Sequence, residues 1–308
     1  MRAFIFPGQG SQAVGMGAAL AGASVPAKDV FAEVDEALGQ NLFRLMRDGP
    51  DEELKLTENA QPAIMANSIA VFRTLGVRLA DVASFVAGHS LGEYSALCAA
   101  GSFDLASTAK LLKLRGQAMQ QAVPVGQGAM AALLGADLAL AQKIAEAAAQ
   151  GEVCTVANDN DPSQVVISGH KGAIDRAIAI AKDMGAKRAV PLPVSAPFHC
   201  PLMQPAAEAM RDALGYVVLG PPAVPVFANV TAQPESDPDT IRNQLVEQVT
   251  GMVRWRESVA NMFDAGVEEF VELGGKVLGS MVKRIVPDAQ VTSVVTIEDI
   301  EALAKEIA

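Results

Sequence analysis

The chain has 308 residues, half of them hydrophobic, which is enough to bury the core of one large domain or of one domain with an insertion. Its formal net charge is −11, which argues against broad binding to nucleic acid or to an anionic membrane surface. No apolar run is long enough for a membrane span and the N-terminus lacks a signal-peptide core, so we expect a cytoplasmic protein.

The first part of the chain alternates short apolar runs with helical patterns, which is typical of an α/β fold. A strand is predicted at 3–6, and the glycine-rich turn at 7–12 that follows it leaves room for a ligand or another loop to approach. Apolar residues at helical spacing predict a helix at 30–38. Another helix is predicted at 61–75, because Pro62 suits a first helical turn.

A serine between two glycines lies at 88–92, between an apolar run at 84–87 and a helical pattern at 93–100. Strand, sharp turn and helix together are the setting of a nucleophile elbow, in which the serine hydroxyl projects from the top of a sheet. The helix directs the N–H of Leu91 toward the same point, where it can stabilise an oxyanion. Ser90 is therefore predicted to be a nucleophile; the alternative is a glycine-serine turn that only caps a helix.

The pattern changes after a long helix predicted at 104–121, where prolines and glycines follow at 123–128. The next seventy residues or so read strand, helix, strand, strand, helix, strand, which is the ferredoxin-like arrangement. The strands are predicted at 129–134, 153–157, 164–168 and 188–192, and the helices at 138–150 and 172–184.

The α/β pattern then resumes, which predicts a small domain inserted into a larger, discontinuous one. Residues 124–195 would form the insert, and residues 1–123 and 196–308 the large domain, with the cleft between them as the expected site. In the last segment, strands are predicted at 224–230 and 269–273, and helices at 240–250, 254–265 and from 297 onward.

Three histidines are candidates for the base that Ser90 needs, because a serine hydroxyl is a poor nucleophile until a base takes its proton. His199 lies in a proline-bracketed loop, where functional groups are common, and is the preferred candidate. His170 is in a sequence typical of an exposed turn, and His89 is expected to support the elbow.

The three cysteines are widely spaced and form no C-x-x-C pair, so neither a disulfide framework nor a metal site is expected.

Four segments together carry a resemblance to a known family: 6–12 (FPGQGSQ), 88–93 (GHSLGE), 115–119 (RGQAM) and 198–203 (FHCPLM). In order and spacing they resemble the malonyl-CoA:acyl-carrier-protein transacylases, and the resemblance extends over essentially the whole chain. It implies an α/β-hydrolase-like large domain with a ferredoxin-like insert, which agrees with the predicted pattern. It also implies an acyltransferase that moves malonyl from CoA to the phosphopantetheine thiol of acyl carrier protein, without a cofactor.

The resemblance gives roles to individual residues of the reaction. It implies that Ser90 carries the malonyl group as an ester, and that His199 acts first as base and then as acid in a ping-pong transfer. Gln248 is implied to supply the carbonyl that holds His199, although by itself it has the character of a surface helix end. The oxyanion hole is implied to be the N–H groups of Gln9 and Leu91.

Arg115 corresponds to the family's carboxylate-binding arginine, since a guanidinium can hold a malonyl carboxylate by two parallel bonds. Without the resemblance it is one of several cations on a helix surface. Phe198 resembles the variants that favour unbranched malonyl, because a bulky ring there crowds an α-methyl group. Met119 and Asn158 are implied to line the pocket.

Two other functions are compatible with parts of the sequence. A serine hydrolase or thioesterase has the same elbow, but its histidine usually lies close to the C-terminus, whereas a third of this chain follows His199. A nucleotide-binding module would use Gly8 and Gly10, but the full G-x-G-x-x-G pattern is absent, because Gly15 is out of register.

The partners implied by the resemblance are malonyl-CoA and acyl carrier protein, and we expect a monomer that binds neither nucleic acid nor membrane. The standalone length favours fatty acid synthesis over a polyketide pathway. Acyl carrier proteins are strongly acidic, so docking on this acidic chain requires a local cationic patch. Two clusters are candidates, and each is also compatible with a solvated surface: Lys276, Lys283 and Arg284 on one helix face, and Lys182, Lys187 and Arg188 at the small domain's last strand.

Overall fold

Two β-sheets form the framework of the structure, a computed structural model that describes residues 1–307. Strands β1 to β10 span Arg2–Phe6, Phe85–Gly88, Gly128–Leu134, Cys154–Asp161, Gln164–His170, Arg188–Pro191, Val226–Phe227, Pro234–Glu235, Glu269–Leu273 and Gln290–Val294. Helices α1 to α15 span Ala18–Ala23, Val25–Leu38, Leu42–Asp48, Asp51–Leu54, Thr57–Leu75, Leu79–Val82, Leu91–Ala99, Leu105–Gln121, Leu138–Ala149, Lys171–Ala181, Gln204–Gly215, Pro238–Thr250, Trp255–Asp264, Leu278–Ile285 and Ile297–Ile307.

The larger sheet has the strand order β10-β9-β1-β2-β7-β8, and all neighbours are parallel except β7 and β8. Alternate residues of β1 face opposite sides of it. Phe4 and Phe6 pack into the main core, and Ala3 and Ile5 pack into a second core that contains Trp255. Both faces are therefore covered, as a parallel sheet requires, and β1 and β2 end at the same edge, where the serine turn begins.

The smaller sheet has the order β4-β5-β3-β6, and all its neighbours are antiparallel. Ala131 and Leu133 of β3 pack against α9 and α10, whereas Met130 and Ala132 on the other face join the main core. The sequence of elements is strand, helix, strand, strand, helix, strand. The predicted α/β class with a ferredoxin-like arrangement is confirmed.

Strand β4 attaches the small sheet to the helices of the large one. The N–H of Asp159 donates to the carbonyl of Val253 at 3.0 Å, and its carboxylate pairs with Arg256 at 2.8 Å. Asp161 is fully buried and pairs with Arg284 of α14, also at 2.8 Å. Because separating such a pair leaves an uncompensated buried charge, Arg284 is an attachment residue rather than a free surface cation. Arg284, one of the candidate docking cations identified from the sequence, is thus already engaged by an acidic side chain.

Helix α5 begins earlier than predicted. It starts at Thr57, so that Pro62 lies inside the helix rather than in its first turn. The carbonyl of Leu56 accepts the N–H groups of Asn59 and Ala60 and so begins the helix. Proline usually marks a first turn because it has no N–H to donate, and that preference placed the predicted start four residues too late.

The strand predicted at 224–230 is also shorter than expected, because β7 covers Val226–Phe227 only. The chain turns sharply after it, with the N–H of Ala232 donating to the carbonyl of Ala228. Several elements were not predicted, most of them short: α1, α3, α4, α6, α11, β8 and β10. Among the helices of residues 1–307, none has the length and hydropathy needed to cross a membrane.

Candidate active site

Ser90 occupies a strained turn between β2 and α7. Its φ is 55°, in the left-handed region that most side chains avoid. The two flanking glycines make this turn possible. A Cβ on Gly88 would lie 1.9 Å from the carbonyl carbon of Gly92, and a Cβ on Gly92 would lie 2.2 Å from the carbonyl oxygen of Phe6. The G-x-S-x-G spacing is therefore a steric requirement, at Gly88 of the turn itself and at Gly92 of its contact with β1.

His199 lies within hydrogen-bond distance of the serine. Its Nε2 is 2.7 Å from Ser90 Oγ, and its Nδ1 is 2.9 Å from the main-chain carbonyl of Gln248. A carbonyl only accepts, so the proton of a neutral imidazole must be on Nδ1, which leaves Nε2 to accept from the serine hydroxyl. The pair is therefore arranged as nucleophile and base, with a carbonyl in the orienting position.

The environment of His199 keeps the imidazole neutral. Burial is the main cause, and the positive charge of Arg115 adds to it; together they lower the pKa of His199 to about 3. A histidine with its ordinary pKa near ~6.5 would be substantially protonated in mild acid and unable to accept the serine proton. His199 is available as a base over a wider pH range.

As pH is lowered, the rate of acyl loading should not fall with the midpoint near pH ~6.5 that an ordinary histidine would give. The lowered pKa keeps His199 unprotonated well below that pH. The same shift makes the folded state lose stability as pH falls from about 6.5 toward the folded pKa of about 3, since only the unfolded chain takes up the proton in that window. Single-turnover loading measured from about pH 8 to about pH 5 checks this. A loss of rate toward low pH with a midpoint near pH ~6.5, seen for acetyl-CoA as well as for malonyl-CoA, would contradict it.

Arg115 extends from α8 to the same point and is 1% exposed. Its Nη2 donates to Ser90 Oγ at 3.1 Å and to Gln248 Oε1 at 2.8 Å, and its Nη1 donates to Gln61 Oε1 at 2.7 Å. The guanidinium carbon lies 5.7 Å from the centre of the Tyr94 ring. All of these partners are neutral, so the site holds a buried positive charge that an anionic ligand would satisfy.

Two main-chain N–H groups belong to residues that line the cavity beside the serine. Those of Gln9 and Leu91 have no hydrogen-bond partner within residues 1–307, and both residues line the cavity that contains Ser90. The N–H of Leu91 is also at the N-terminus of α7, where the helix dipole favours negative charge. The side chain of Gln9 donates to Thr57 Oγ1 at 3.4 Å, which ties the glycine-rich turn to α5. The two groups can serve as an oxyanion hole.

The cavity has a volume of about 470 Å³ and lies between the two sheets. Met119 and Phe198 line it with apolar surface, and Asn158 of β4 lines it with an amide. Residues 192–194, which follow β6, form part of the wall on the small-domain side. All nine residues singled out from the sequence therefore lie at or directly behind this cavity. Their roles in the reaction remain predictions.

The other two histidines have different hydrogen-bond partners, although His89 also lines the cavity. His89 Nε2 is 2.8 Å from Asn160 Oδ1, and its ring is 5.8 Å from that of Trp255, so it supports the elbow from behind. His170 accepts the N–H of Val153 at 2.9 Å, at the end of β5. Neither contacts the serine hydroxyl. Within residues 1–307 there is no cluster of three histidine, cysteine or acidic side chains that could hold a metal ion.

Four residues of the site were missed from the sequence: Gln61, Glu93, Asn160 and Asn229. Asn229 accepts the N–H of Ser90 at 2.8 Å and donates to the carbonyl of Gly88 at 2.7 Å, so it fixes the strained turn from both sides. The sequence signal for Asn229 was its position, because it is a polar residue two positions after the buried parallel strand β7. Side chains that follow such a strand reach the active edge of the sheet. The prediction of a continuous strand concealed that position.

The comparisons with known proteins give a consistent picture. Residues 3–290 match the family described as the acyl transferase domain. The malonyl CoA-acyl carrier protein transacylase of Escherichia coli strain K12 is 48% identical over 285 residues, covering 92% of each chain. An acyl-carrier-protein-S-malonyltransferase structure from Bartonella henselae has a TM-score of 0.97 and 51% identity, covering 99% of each chain. A malonyl-transacylase solved in complex with a holo type II PKS acyl-carrier protein has a TM-score of 0.96 and 41% identity, again over 99% of each chain.

Proposed function

The chain belongs to the acyl transferase family, and from that premise we propose that it transfers malonyl from malonyl-CoA to the phosphopantetheine thiol of acyl carrier protein. The observation that carries the proposal is the buried guanidinium of Arg115, 3.1 Å from the nucleophilic oxygen of Ser90. A hydrolase of simple esters has no need of a buried cation at this point. An acyl group that ends in a carboxylate does need one.

In the first half-reaction, His199 Nε2 takes the Ser90 proton as Oγ attacks the thioester carbonyl. The carbonyl oxygen becomes an anion and is stabilised by the N–H groups of Gln9 and Leu91. The carbon–sulfur bond then breaks, and the proton on His199 passes to the departing CoA sulfur. Ser90 now carries a malonyl ester, and one equivalent of CoA thiol has been released.

The malonyl ester places its carboxylate near Arg115. Three bonds separate Ser90 Oγ from the carboxylate carbon, and Arg115 Nη2 is already 3.1 Å from Oγ. Gln61 and Gln248 hold the guanidinium on its protein side, at 2.7 and 2.8 Å, so its orientation is fixed before the substrate binds. Such preorganisation avoids reordering the site during the reaction.

In the second half-reaction, His199 takes the proton of the pantetheine thiol as the sulfur attacks the malonyl ester. The bond between the acyl carbon and Oγ breaks, and Ser90 recovers its proton from His199. Every step is redox-neutral and each proton has a named acceptor, so we propose that no cofactor takes part. We further propose that the protein acts as a monomer, since Ser90, His199 and Arg115 come from one chain.

The partition of the malonyl-enzyme between thiol and water tests this function. The enzyme is loaded with malonyl-CoA, freed of excess substrate and divided between buffer and holo acyl carrier protein. We expect the carrier protein to remove the malonyl group at least ~10²-fold faster than water does. Equal rates, with free malonate as the product, would support a thioesterase and contradict the transfer function.

Docking of the acidic carrier protein is proposed at the cluster Lys182, Lys187 and Arg188. All three side chains are exposed, and none forms a salt bridge among the described residues. Arg188 begins β6, and the residues that follow β6 line the cavity. The cluster that contains Lys283 is less suitable, because the neighbouring Arg284 is paired with the buried Asp161.

Reversing charge at Lys187 and Arg188 together, each to glutamate, is expected to raise the KM for the carrier protein by roughly threefold to tenfold. The KM for malonyl-CoA in the loading step should stay within about twofold, because the cluster lies outside the cavity lining. Lys143→Glu, at an exposed site on α9 of the same small domain, is the control. An unchanged KM for the carrier protein would remove this cluster as its docking site.

A further inference from the structure

Glu93 is the acidic side chain whose charge acts on the buried guanidinium of Arg115, and the reaction described above does not use it. It lies in the first turn of α7 and is 1% exposed. Its Oε2 accepts the main-chain N–H of Asn229 at 3.1 Å and the amide Nε2 of Gln248 at 2.8 Å. Burial disfavours the charged form of a carboxyl group, so a carboxyl at this depth must be stabilised by specific contacts.

The side chain of Gln248 connects Glu93 to Arg115. Its Nε2 donates to Glu93, and its Oε1 accepts from Arg115 Nη2 at 2.8 Å. One amide thus has the cation at its oxygen and the carboxyl at its nitrogen, an orientation in which both charges reinforce the amide dipole. The main-chain carbonyl of the same residue holds His199 at 2.9 Å. The position of Gln248 therefore affects both the base and the carboxylate-binding group.

Opposing influences on Glu93 leave its charged and neutral forms close in free energy near neutral pH. Burial raises its pKa to about 7, against the hydrogen bonds from Gln248 and Asn229 and the positive charge of Arg115. The other titratable groups that face this cluster are neutral, because burial raises the pKa of Tyr94 and lowers those of His199 and His89. Arg115 is therefore the charge to which Glu93 responds.

We propose that Glu93 is a positioning residue that balances Arg115 through Gln248 in the empty site and takes up a proton when a malonyl carboxylate occupies Arg115. A second negative charge at the guanidinium cancels the field that favours ionised Glu93. In this protonation step the proton comes from solvent, and the O–H bond of the Glu93 carboxyl is the only covalent bond formed. Malonyl recognition is thereby coupled to protonation, whereas acetyl, which has no carboxylate, leaves Glu93 unchanged. The coupling rests on the proposed function.

Proton uptake during loading tests the proposal. The wild-type chain is mixed with malonyl-CoA or acetyl-CoA near pH 7 in weakly buffered solution with an indicator dye, and the acyl-enzyme is counted by intact mass. Both reactions release CoA thiol, so its ionisation cancels in the comparison. Glu93 is half-protonated near pH 7, so it can take up as much as about half a proton. We therefore expect proton uptake per acylated site to be larger for malonyl loading than for acetyl loading by up to that amount.

Equal proton uptake for the two acyl groups, with the malonyl adduct present, would overturn the proposal while leaving the transfer function intact. If no malonyl adduct formed, the proposed function would fail and this inference with it. In Glu93→Gln, whose amide oxygen can still accept both hydrogen bonds, the difference between malonyl and acetyl should vanish. In Glu272→Gln, a change at a buried carboxylate that instead caps α14, the difference should persist.

The pH dependence of malonyl affinity gives a readout that a purely structural role would not produce, and it needs only the wild-type protein. Above pH 7 the proton that malonyl binding requires becomes scarcer. The KM for malonyl-CoA should rise with pH by up to about tenfold per unit, and that for acetyl-CoA should stay flat. Matching pH profiles for the two substrates would contradict the coupling.

Discussion

Replacement of Ser90 by alanine is expected to lower malonyl transfer by at least ~10³-fold, because the variant has no oxygen on which an acyl-enzyme can form. The oxyanion N–H groups and Arg115 remain, so the variant should still bind malonyl-CoA. Loss of rate without loss of binding is the signature of a missing nucleophile. Transfer of labelled malonyl to holo carrier protein gives the rate, and intact mass shows whether an adduct forms.

Ser195→Ala is the matched control for this substitution. Ser195 is exposed, and its hydroxyl donates to Gln120 at 2.7 Å, outside the cavity lining. Its loss should change the rate by less than about twofold. A Ser90→Ala enzyme that keeps a malonyl adduct would show that another nucleophile carries the acyl group.

Replacement of Arg115 by alanine is expected to separate malonyl from acetyl. The charge-assisted contact with the malonyl carboxylate should be worth about 2 to 4 kcal/mol, or roughly thirty-fold to several-hundred-fold in kcat/KM for malonyl loading. Acetyl has no carboxylate, so its loading should be unchanged or faster. Loading rates for both CoA esters, with the same enzyme preparation, give the ratio directly.

Arg115→Lys should recover little of the lost malonyl activity, because an ammonium cannot reproduce a fork that reaches Gln61, Gln248 and the substrate together. Lys113→Ala is the control, since Lys113 is a cation of the same helix that pairs with Glu58 at 3.2 Å and does not line the cavity. An equal loss for malonyl and acetyl would mean that Arg115 supports Ser90 or the fold rather than recognising the carboxylate.

The features that could be predicted from the sequence are those encoded locally. The elbow is local, because the glycines at 88 and 92 are needed within one turn of the serine. The small domain is also local, since its strands alternate with a period of two and its helices follow a period near 3.6. Asp104 was predicted as a helix start and caps α8 by accepting the N–H of Ser107 at 2.6 Å.

The polar network behind the serine could not be predicted in this way. Gln248 reaches Ser90 and Arg115 from α12, more than a hundred residues away in sequence, and by pattern it belongs on a helix surface. Asn229 and Gln61 lie in segments whose boundaries were placed wrongly. Such residues are recognised only when the fold brings separate elements together, because hydrogen-bond partners distant in sequence leave no periodicity.

Peptide mapping of the acid-quenched malonyl-enzyme is the measurement that tests the central claim most directly. The enzyme is mixed briefly with malonyl-CoA and divided into two samples, one quenched at once and one quenched after addition of holo acyl carrier protein. We predict malonyl on the peptide that contains Ser90 in the first sample, and on the carrier protein's phosphopantetheine in the second. Malonyl on Ser11, Ser195 or a cysteine, or a Ser90 adduct that the carrier protein does not remove, would contradict the account.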